Sequence, residues 1–466
     1  MKKILFFFIA LSLLTVSYAQ NREGKKKEKK YNEKGEIIKT GWVFGPLPVV
    51  GFDSDLGFQY GITTDIFNYG NGKNYPKYDF KMNFEASTYT KGSSILRFYG
   101  DFGNVIPKSK LFLDVAYLTD KKYEFYGFNG YAAPFIDNAY LSYVNPLDQD
   151  SPVQIVDDPS VSSFLYNFYR RQIRVVTGFR YPIGFVDNLY YAAGIAFYNI
   201  KIDTVRLDGI ENQISLYELY CKTGLIKDNE KDGGSVTQLR LGLIYDTRDN
   251  ESDPAKGLYV EGTLAAAPDI IDKENYSYLT LTMILQHYVP VYNDHLTFAY
   301  RLGVQSVLAG NIPFYAVSNL NTMFYKKMIT EVLGGITSIR GINRNSVIGA
   351  GVGWLNTELR YRALRFKFIN QNWIIGCNLL FDAGMVIKDY RLHEQENAFV
   401  GLDENSSEIV ENLLYTGERE SLHTSMGAGL KVIMNRSFVV SAECAHALNE
   451  HDGNGLKFYI GFNYIF

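Results

Sequence analysis

The chain has 466 residues and a formal net charge of -3, with 36 Tyr, 31 Phe and 41 Gly against 13 Pro, 3 Cys and 3 Trp. The charge balance argues against general nucleic-acid binding. The three cysteines, Cys221, Cys377 and Cys444, are too widely spaced and odd in number to form a disulfide framework.

The chain opens with Lys2-Lys3, an apolar run from Ile4 to Val16 and then Ser17-Tyr18-Ala19, the anatomy of a secretory signal peptide (residues 1–19) cleaved after Ala19. That run is shorter than the ~20 residues a membrane-spanning helix needs, and no cysteine at the cleavage site invites a lipid anchor. Residues 20–41 follow, rich in lysine and poor in apolar side chains, and read as a disordered basic periplasmic tail. Its lysines are candidates to meet anionic lipid or a periplasmic partner, and a solvated linker is the plainer reading. Every later apolar run is broken within about ten residues, so no membrane helix is expected. An exported, aromatic-rich, glycine-rich and helix-poor chain suggests that residues 42–466 form one outer-membrane β-barrel.

The first strand of that barrel contains "GPLPVVG", which sets Pro46 and Pro48 either inside the strand, each removing a ladder donor, or just before it. Further along, "TQLRLGLIYDTR" alternates so that Leu239, Leu241, Leu243 and Tyr245 face lipid while Gln238, Arg240, Asp246 and Arg248 face the lumen. "YSYLTLTMILQ" repeats the pattern, with Ile284 alone breaking it, and "WLNTELRYR" sends Glu358, Arg360 and Arg362 inward. In the closing "LKFYIGFNYIF", Phe458, Ile460, Phe462, Tyr464 and Phe466 share one face. A soluble sandwich alternates too, but strand length and the signal peptide favour the membrane.

The expected strands are 42–50, 56–68, 78–90, 93–103, 109–120, 164–182, 187–204, 235–248, 257–268, 276–290, 295–309, 347–365, 372–387, 424–434, 437–448 and 456–466. With about sixteen strands and both ends periplasmic, only connections after odd-numbered strands should be long. The long stretches near 121–163, 205–234, 310–346 and 388–423 obey that rule.

Three motifs add a resemblance. "YDTRDNESDPAKGLYVEG" resembles the periplasmic hairpin of the BamA/TamA-type bacterial surface antigen barrels, "SIRGI" their Arg-Gly-aromatic loop motif and "LFDAGMV" their Phe-x-Asp-x-Gly strand motif. They occur in family order and the likeness covers most of residues 42–466. This chain departs from the pattern in placing Ile342 at the aromatic position and Leu380 at the phenylalanine position, with Phe381 directly before the aspartate. Periplasmic POTRA domains of ~75 residues are not expected in the roughly twenty residues ahead of the barrel.

The resemblance implies that the long loop 311–346 folds back into the lumen and brings Arg340 and Gly341 to the wall. There Arg340 would meet Asp382, inward by the parity that sends Cys377, Leu379 and Phe381 to lipid, with Glu358 beside it. A buried guanidinium needs such partners, and Gly334, Gly335 and Gly341 allow close approach. The arrangement implied is a structural latch. The seam, with Pro46 and Pro48 on one side and Phe462, Tyr464 and Phe466 on the other, would resemble a lateral gate.

Enzyme signals are thin. The histidines show no HExxH or nucleophile-elbow pattern, Ser441 and His446 differ in parity, and the acidic stretch with Asp403, Glu404, Glu408 and Glu411 lacks the spaced glycine of a calcium loop. No catalytic residue, cofactor or metal is expected. Two functions remain: outer-membrane biogenesis in a Gram-negative bacterium, by insertion or translocation of protein or lipid, or a passive pore, receptor or scaffold that shares only the fold.

Overall fold

The computed structural model describes residues 31, 37–75, 78–103, 105–136, 139–143, 153–157, 164–206, 213–269, 276–320, 331–398, 412–462 and 466. The signal segment, nearly all of residues 20–36, the acidic residues Asp403, Glu404, Glu408 and Glu411, and Tyr464 lie outside them.

The chain rises and falls through β1 (Trp42–Asp53), β2 (Gly57–Asn68), β3 (Phe80–Tyr89), β4 (Ser94–Gly103) and β5 (Lys110–Glu124), each hydrogen-bonded to the next. It then leaves the wall for β6 (Ala139–Tyr143) and β7 (Val153–Asp157) and returns as β8 (Asn167–Pro182) and β9 (Leu189–Thr204). A second excursion holds β10 (Gln213–Ile214) and helix α1 (Leu216–Lys222). The wall resumes with β11 (Gly233–Asp246), β12 (Gly257–Ala267), β13 (Tyr278–Tyr292) and β14 (Leu296–Gly310). Helix α2 (Phe314–Val317) precedes β15 (Gly351–Phe368) and β16 (Gln371–Lys388), and α3 (Leu392–Glu396) precedes β17 (His423–Met434), β18 (Phe438–Ala447) and β19 (Leu456–Phe462).

Sixteen of these strands close an antiparallel barrel, β1 meeting β19. They are the strands expected from alternation, with ends displaced by a few residues. The reason is visible along β13, where Leu279, Leu281, Met283 and Leu285 are more exposed than Tyr278, Thr280, Thr282, Ile284 and Gln286. An apolar outer row and a polar inner row is the pattern of a wall between lipid and lumen.

The four long connections emerge at one end and pack together. β10, β6 and β7 form a small sheet, and α1 begins with a capping box in which Ser215 and Glu218 satisfy each other's main-chain N–H groups. Aromatic side chains from all four connections converge beneath: Phe125 meets Tyr220 edge to face at 5.0 Å, and Phe128 meets Tyr390 at 4.9 Å. Phe314, Leu216, Leu219 and Leu414 join the same buried cluster. This folded cap was not anticipated, because its core comes from scattered aromatics without periodicity. Cys221 lies on α1 in this cap, where burial pushes its thiol up to about 12, away from the reactive thiolate form.

Two expectations are corrected at the other end. Residues 37–41 are part of the fold and not a disordered tail: the Ile37 N–H donates to Asn372 Oδ1 at 3.0 Å, and Lys39 Nζ donates to the Asn370 carbonyl at 2.9 Å and Gln371 Oε1 at 2.8 Å. Phe466, expected on the lipid face, is buried with its ring 4.8 Å from the Arg360 guanidinium and 6.2 Å from the Tyr288 ring. Both partners face inward. Alternation predicts a side only while a residue stays in the ladder, and Phe466 lies outside β19. Phe458 and Ile460, inside the ladder, do face outward.

Candidate functional site

The stretch from Glu331 to Asn345 is folded tightly on itself before it reaches the wall. Gly334 has φ +108, and a Cβ there would meet the Asn343 carbonyl oxygen at 2.1 Å. At Gly341 φ is +89 and a Cβ would press on the main chain of Ala445 and His446 in β18 at 2.9 and 2.8 Å, so this position needs glycine for its conformation and for its approach.

Between them Arg340 is fully buried. Its Nε and Nη2 donate to the two oxygens of Asp382 on β16 at 2.8 and 3.0 Å, and its own main-chain N–H adds a third bond to that carboxylate at 3.1 Å. Nη1 donates to Glu358 on β15 at 2.6 Å and to Glu443 on β18 at 3.0 Å. Two further cations complete the set: Arg360 Nε holds Glu358 at 2.7 Å and Lys431 Nζ holds Glu443 at 2.5 Å. Three positive and three negative charges thus neutralise one another, which offsets the large desolvation cost of burying any one of them. The planar guanidinium suits this role because it can serve several carboxylates at once.

Apolar residues hold the same segment. Leu333, Ile339, Ile342 and Val347 share a buried cluster with Ile284, Val352, Trp354 and Val386 of the wall. Ile284, the one residue that broke the alternation of β13, is therefore the apolar counterpart of this loop. Ile342, which replaces the aromatic of the motif, is fully buried there.

The other charges singled out in the sequence lie on the polar side of their strands. Arg240, Arg248, Arg360 and Arg362 are buried, and Asp246 accepts from Arg248 Nε at 2.9 Å. Several serve the hairpin between β11 and β12, which folds across the short-turn end. Asp253 receives Arg362 Nη2 at 2.7 Å, and Asp249 receives Arg436 Nη2 at 2.9 Å. From another part of the wall Lys110 reaches Glu251 at 3.0 Å, with Arg180 at 3.6 Å. One hairpin is thus tied to β5 and β8 on one side and to β15 and the β17–β18 turn on the other.

The seam is short. β1 and β19 register over Phe52 with Ile460 and Asp53 with Tyr459, and Ser54 N–H donates to the Phe458 carbonyl at 3.1 Å. By contrast β1 pairs with β2 without a break from Trp42 to Asp53. Since the bond from Ser54 points to β19, the main-chain groups of even-numbered residues along β1 point the same way. Pro46 and Pro48 lie inside the strand and so remove donors from the seam and none from the β1–β2 ladder.

The Arg340 segment also touches the seam. Gly341 N–H donates to Tyr459 Oη at 3.0 Å, and Lys457 Nζ donates to Asp55 Oδ1 at 2.6 Å and to the Ile342 carbonyl at 3.4 Å. Glu443, Tyr459 and Lys457 are the residues that sequence reasoning missed. Each sits at an inward position of its strand, and an inward acid diagonal to an inward lysine on the next strand, as Glu443 is to Lys431, was the available signal. Ser441 and His446 do face opposite sides, one buried and one exposed.

An Omp85 superfamily domain matches residues 131–466. Among solved structures, BamA from Haemophilus ducreyi lacking POTRA domains 1-3 is similar at 13% identity and a TM-score of 0.50, covering 97% of this chain and 78% of that one. CdiB from Escherichia coli is similar at 11% identity and a TM-score of 0.51, covering 96% and 69%. At these identities the likeness is one of fold. None of the curated proteins matches the chain. With the superfamily domain matched over well more than half of its length, the chain belongs to the Omp85 superfamily, the non-enzymatic barrels of the Gram-negative outer membrane whose family-level role is protein insertion or translocation.

Proposed function

We propose that this barrel inserts or translocates protein or lipid at the outer membrane by opening laterally between β1 and β19, with the Arg340 segment as a latch that holds the lumen and seam together. The observation that carries this reading is the seam itself: among the described residues it is registered only near the long-loop end, and Pro46 and Pro48 remove two donors from it farther along β1. A ladder with few bonds is the place where a closed sheet opens most cheaply. Residues 20–41 are proposed as the docking segment for a periplasmic partner, their last residues being tied to the turn at Asn370–Asn372. A passive pore is the poorer reading, because the latch segment, the β11–β12 hairpin and the cap all lie across the lumen.

The test is a reversible lock. By extension of the register of Phe52 with Ile460, Val50 falls opposite Phe462, two residues beyond that pair. In a background with Cys221, Cys377 and Cys444 replaced by Ala, Val50→Cys with Phe462→Cys should complement a deletion strain when reduced and fail when oxidised. Full complementation by the oxidised protein, with the cross-link verified on a gel, would rule out lateral opening.

A further inference from the structure

The outward face of β5, β8 and β9 changes character toward the long-loop end. Over most of its height it is apolar or aromatic, with Val115 and Tyr117 on β5, Ile173 and Phe179 on β8, and Tyr191 and Ile195 on β9 all exposed. Above Ile173 the next outward residue is Arg171, which stands directly opposite Lys201 on β9 and Thr119 on β5. Lys121 and Lys122 lie exposed in the bulge that follows Asp120.

From Tyr181 to Arg171 the strand takes about ten steps of ~3.4 Å at a tilt of ~40°, or roughly 26 Å of height. That is the thickness of the apolar band, so these cations stand at the outer headgroup level. At the same end of β14, β16, β17, β18 and β19 the outward residues are Leu308, Ile387, Leu422, Leu448 and Leu456, all exposed and apolar.

Two like charges placed directly opposite on adjacent strands repel. Asp203 forms an ion pair with Arg171, but Lys121, Lys122 and Lys201 have no carboxylate partner among the described residues. We infer that Lys121, Arg171 and Lys201 form a binding site for the phosphate groups of an anionic glycolipid in the outer leaflet. Such a ligand supplies the missing negative charge at the level where the cations stand, while its acyl chains lie along Ile173, Tyr117 and Ile195. The inference is independent of lateral opening, since the site lies several strands from the seam.

The probe is lipid A, added to the intact barrel in phosphatidylcholine nanodiscs and quantified as phosphorus retained per barrel against a phosphatidylcholine control. A cation near an anionic surface is worth about fivefold in binding, so Arg171→Gln with Lys201→Gln should lower affinity by at least tenfold. Asp203→Asn should raise it, because it removes the competing carboxylate. Heat-modifiable gel migration verifies that each variant is folded, and Lys121→Gln alone provides a milder second reading. Equal retention by wild type and the double variant would overturn the site, as would loss of affinity in Asp203→Asn. Displacement of lipid A by millimolar inorganic phosphate would make the ligand a free anion, and binding of acidic proteins in place of lipid would make it a protein interface; either result also refutes the proposal.

Discussion

Replacing Arg340 with Ala would leave three carboxylates facing one cavity, but not equally exposed to the loss. Glu358 keeps Arg360 and Glu443 keeps Lys431, whereas every hydrogen bond described for Asp382 comes from Arg340. Asp382 should therefore carry most of the penalty, on the order of 3–5 kcal/mol for stranding a buried charge. Because Arg340→Ala and Asp382→Ala remove one interaction, the double variant should be no less stable than the worse single one. Urea denaturation followed by the heat-modifiable shift measures all three, and simple addition of the single effects would show that the two residues are not partners. Parity and motif were enough to bring Arg340, Asp382 and Glu358 together from the sequence. Glu443 was equally legible, lying two residues from an inward serine. Phe466 was misassigned because the alternation was carried on to a residue that lies outside β19.

At the scale of elements, the strands were legible and the connections were not. A period of two over a dozen residues is a strong signal, while Phe125, Phe128, Tyr220, Phe314 and Tyr390 reach the cap from different connections that carry no common pattern. The β11–β12 hairpin shows the same limit: its motif was recognised, yet nothing local indicates that Glu251 and Asp253 would tie separate parts of the wall. Asp253→Ala should take from Arg362 the carboxylate it meets at 2.7 Å and lower stability by ~3 kcal/mol or more. Protease cleavage between Asn250 and Lys256 in the folded barrel should rise with it, and a hairpin as protected as in wild type would refute the tie. The tail admits a graded test. Deleting residues 20–36 should leave the unfolding midpoint unchanged, whereas deleting 20–40 should lower it, since Ile37 and Lys39 then release Asn370, Gln371 and Asn372. Equal midpoints for both deletions would show that those bonds contribute nothing.

For the whole molecule, a barrel of sixteen strands is wide enough to enclose an aqueous channel, so closure must come from what lies inside it. Three layers stand in series: the aromatic cap over the long-loop end, the Arg340 segment with its apolar cluster in the wall, and the β11–β12 hairpin across the short-turn end. Current through barriers in series is limited by the tightest one. Wild-type protein in a planar bilayer should therefore show no steady conductance, and neither Arg340→Ala nor Asp253→Ala alone should create it, because each leaves two layers in place. Brief openings are compatible with a seam that moves, since Gly341 and Lys457 join the Arg340 segment to β19 and a displaced strand would carry that segment with it. Tyr459→Phe, which deletes the hydroxyl that accepts from Gly341, should raise the frequency of such openings without a continuous current. A steady, voltage-independent conductance in the wild-type protein would mean that the layers do not seal the lumen, and the passive pore would then be the better account of this barrel.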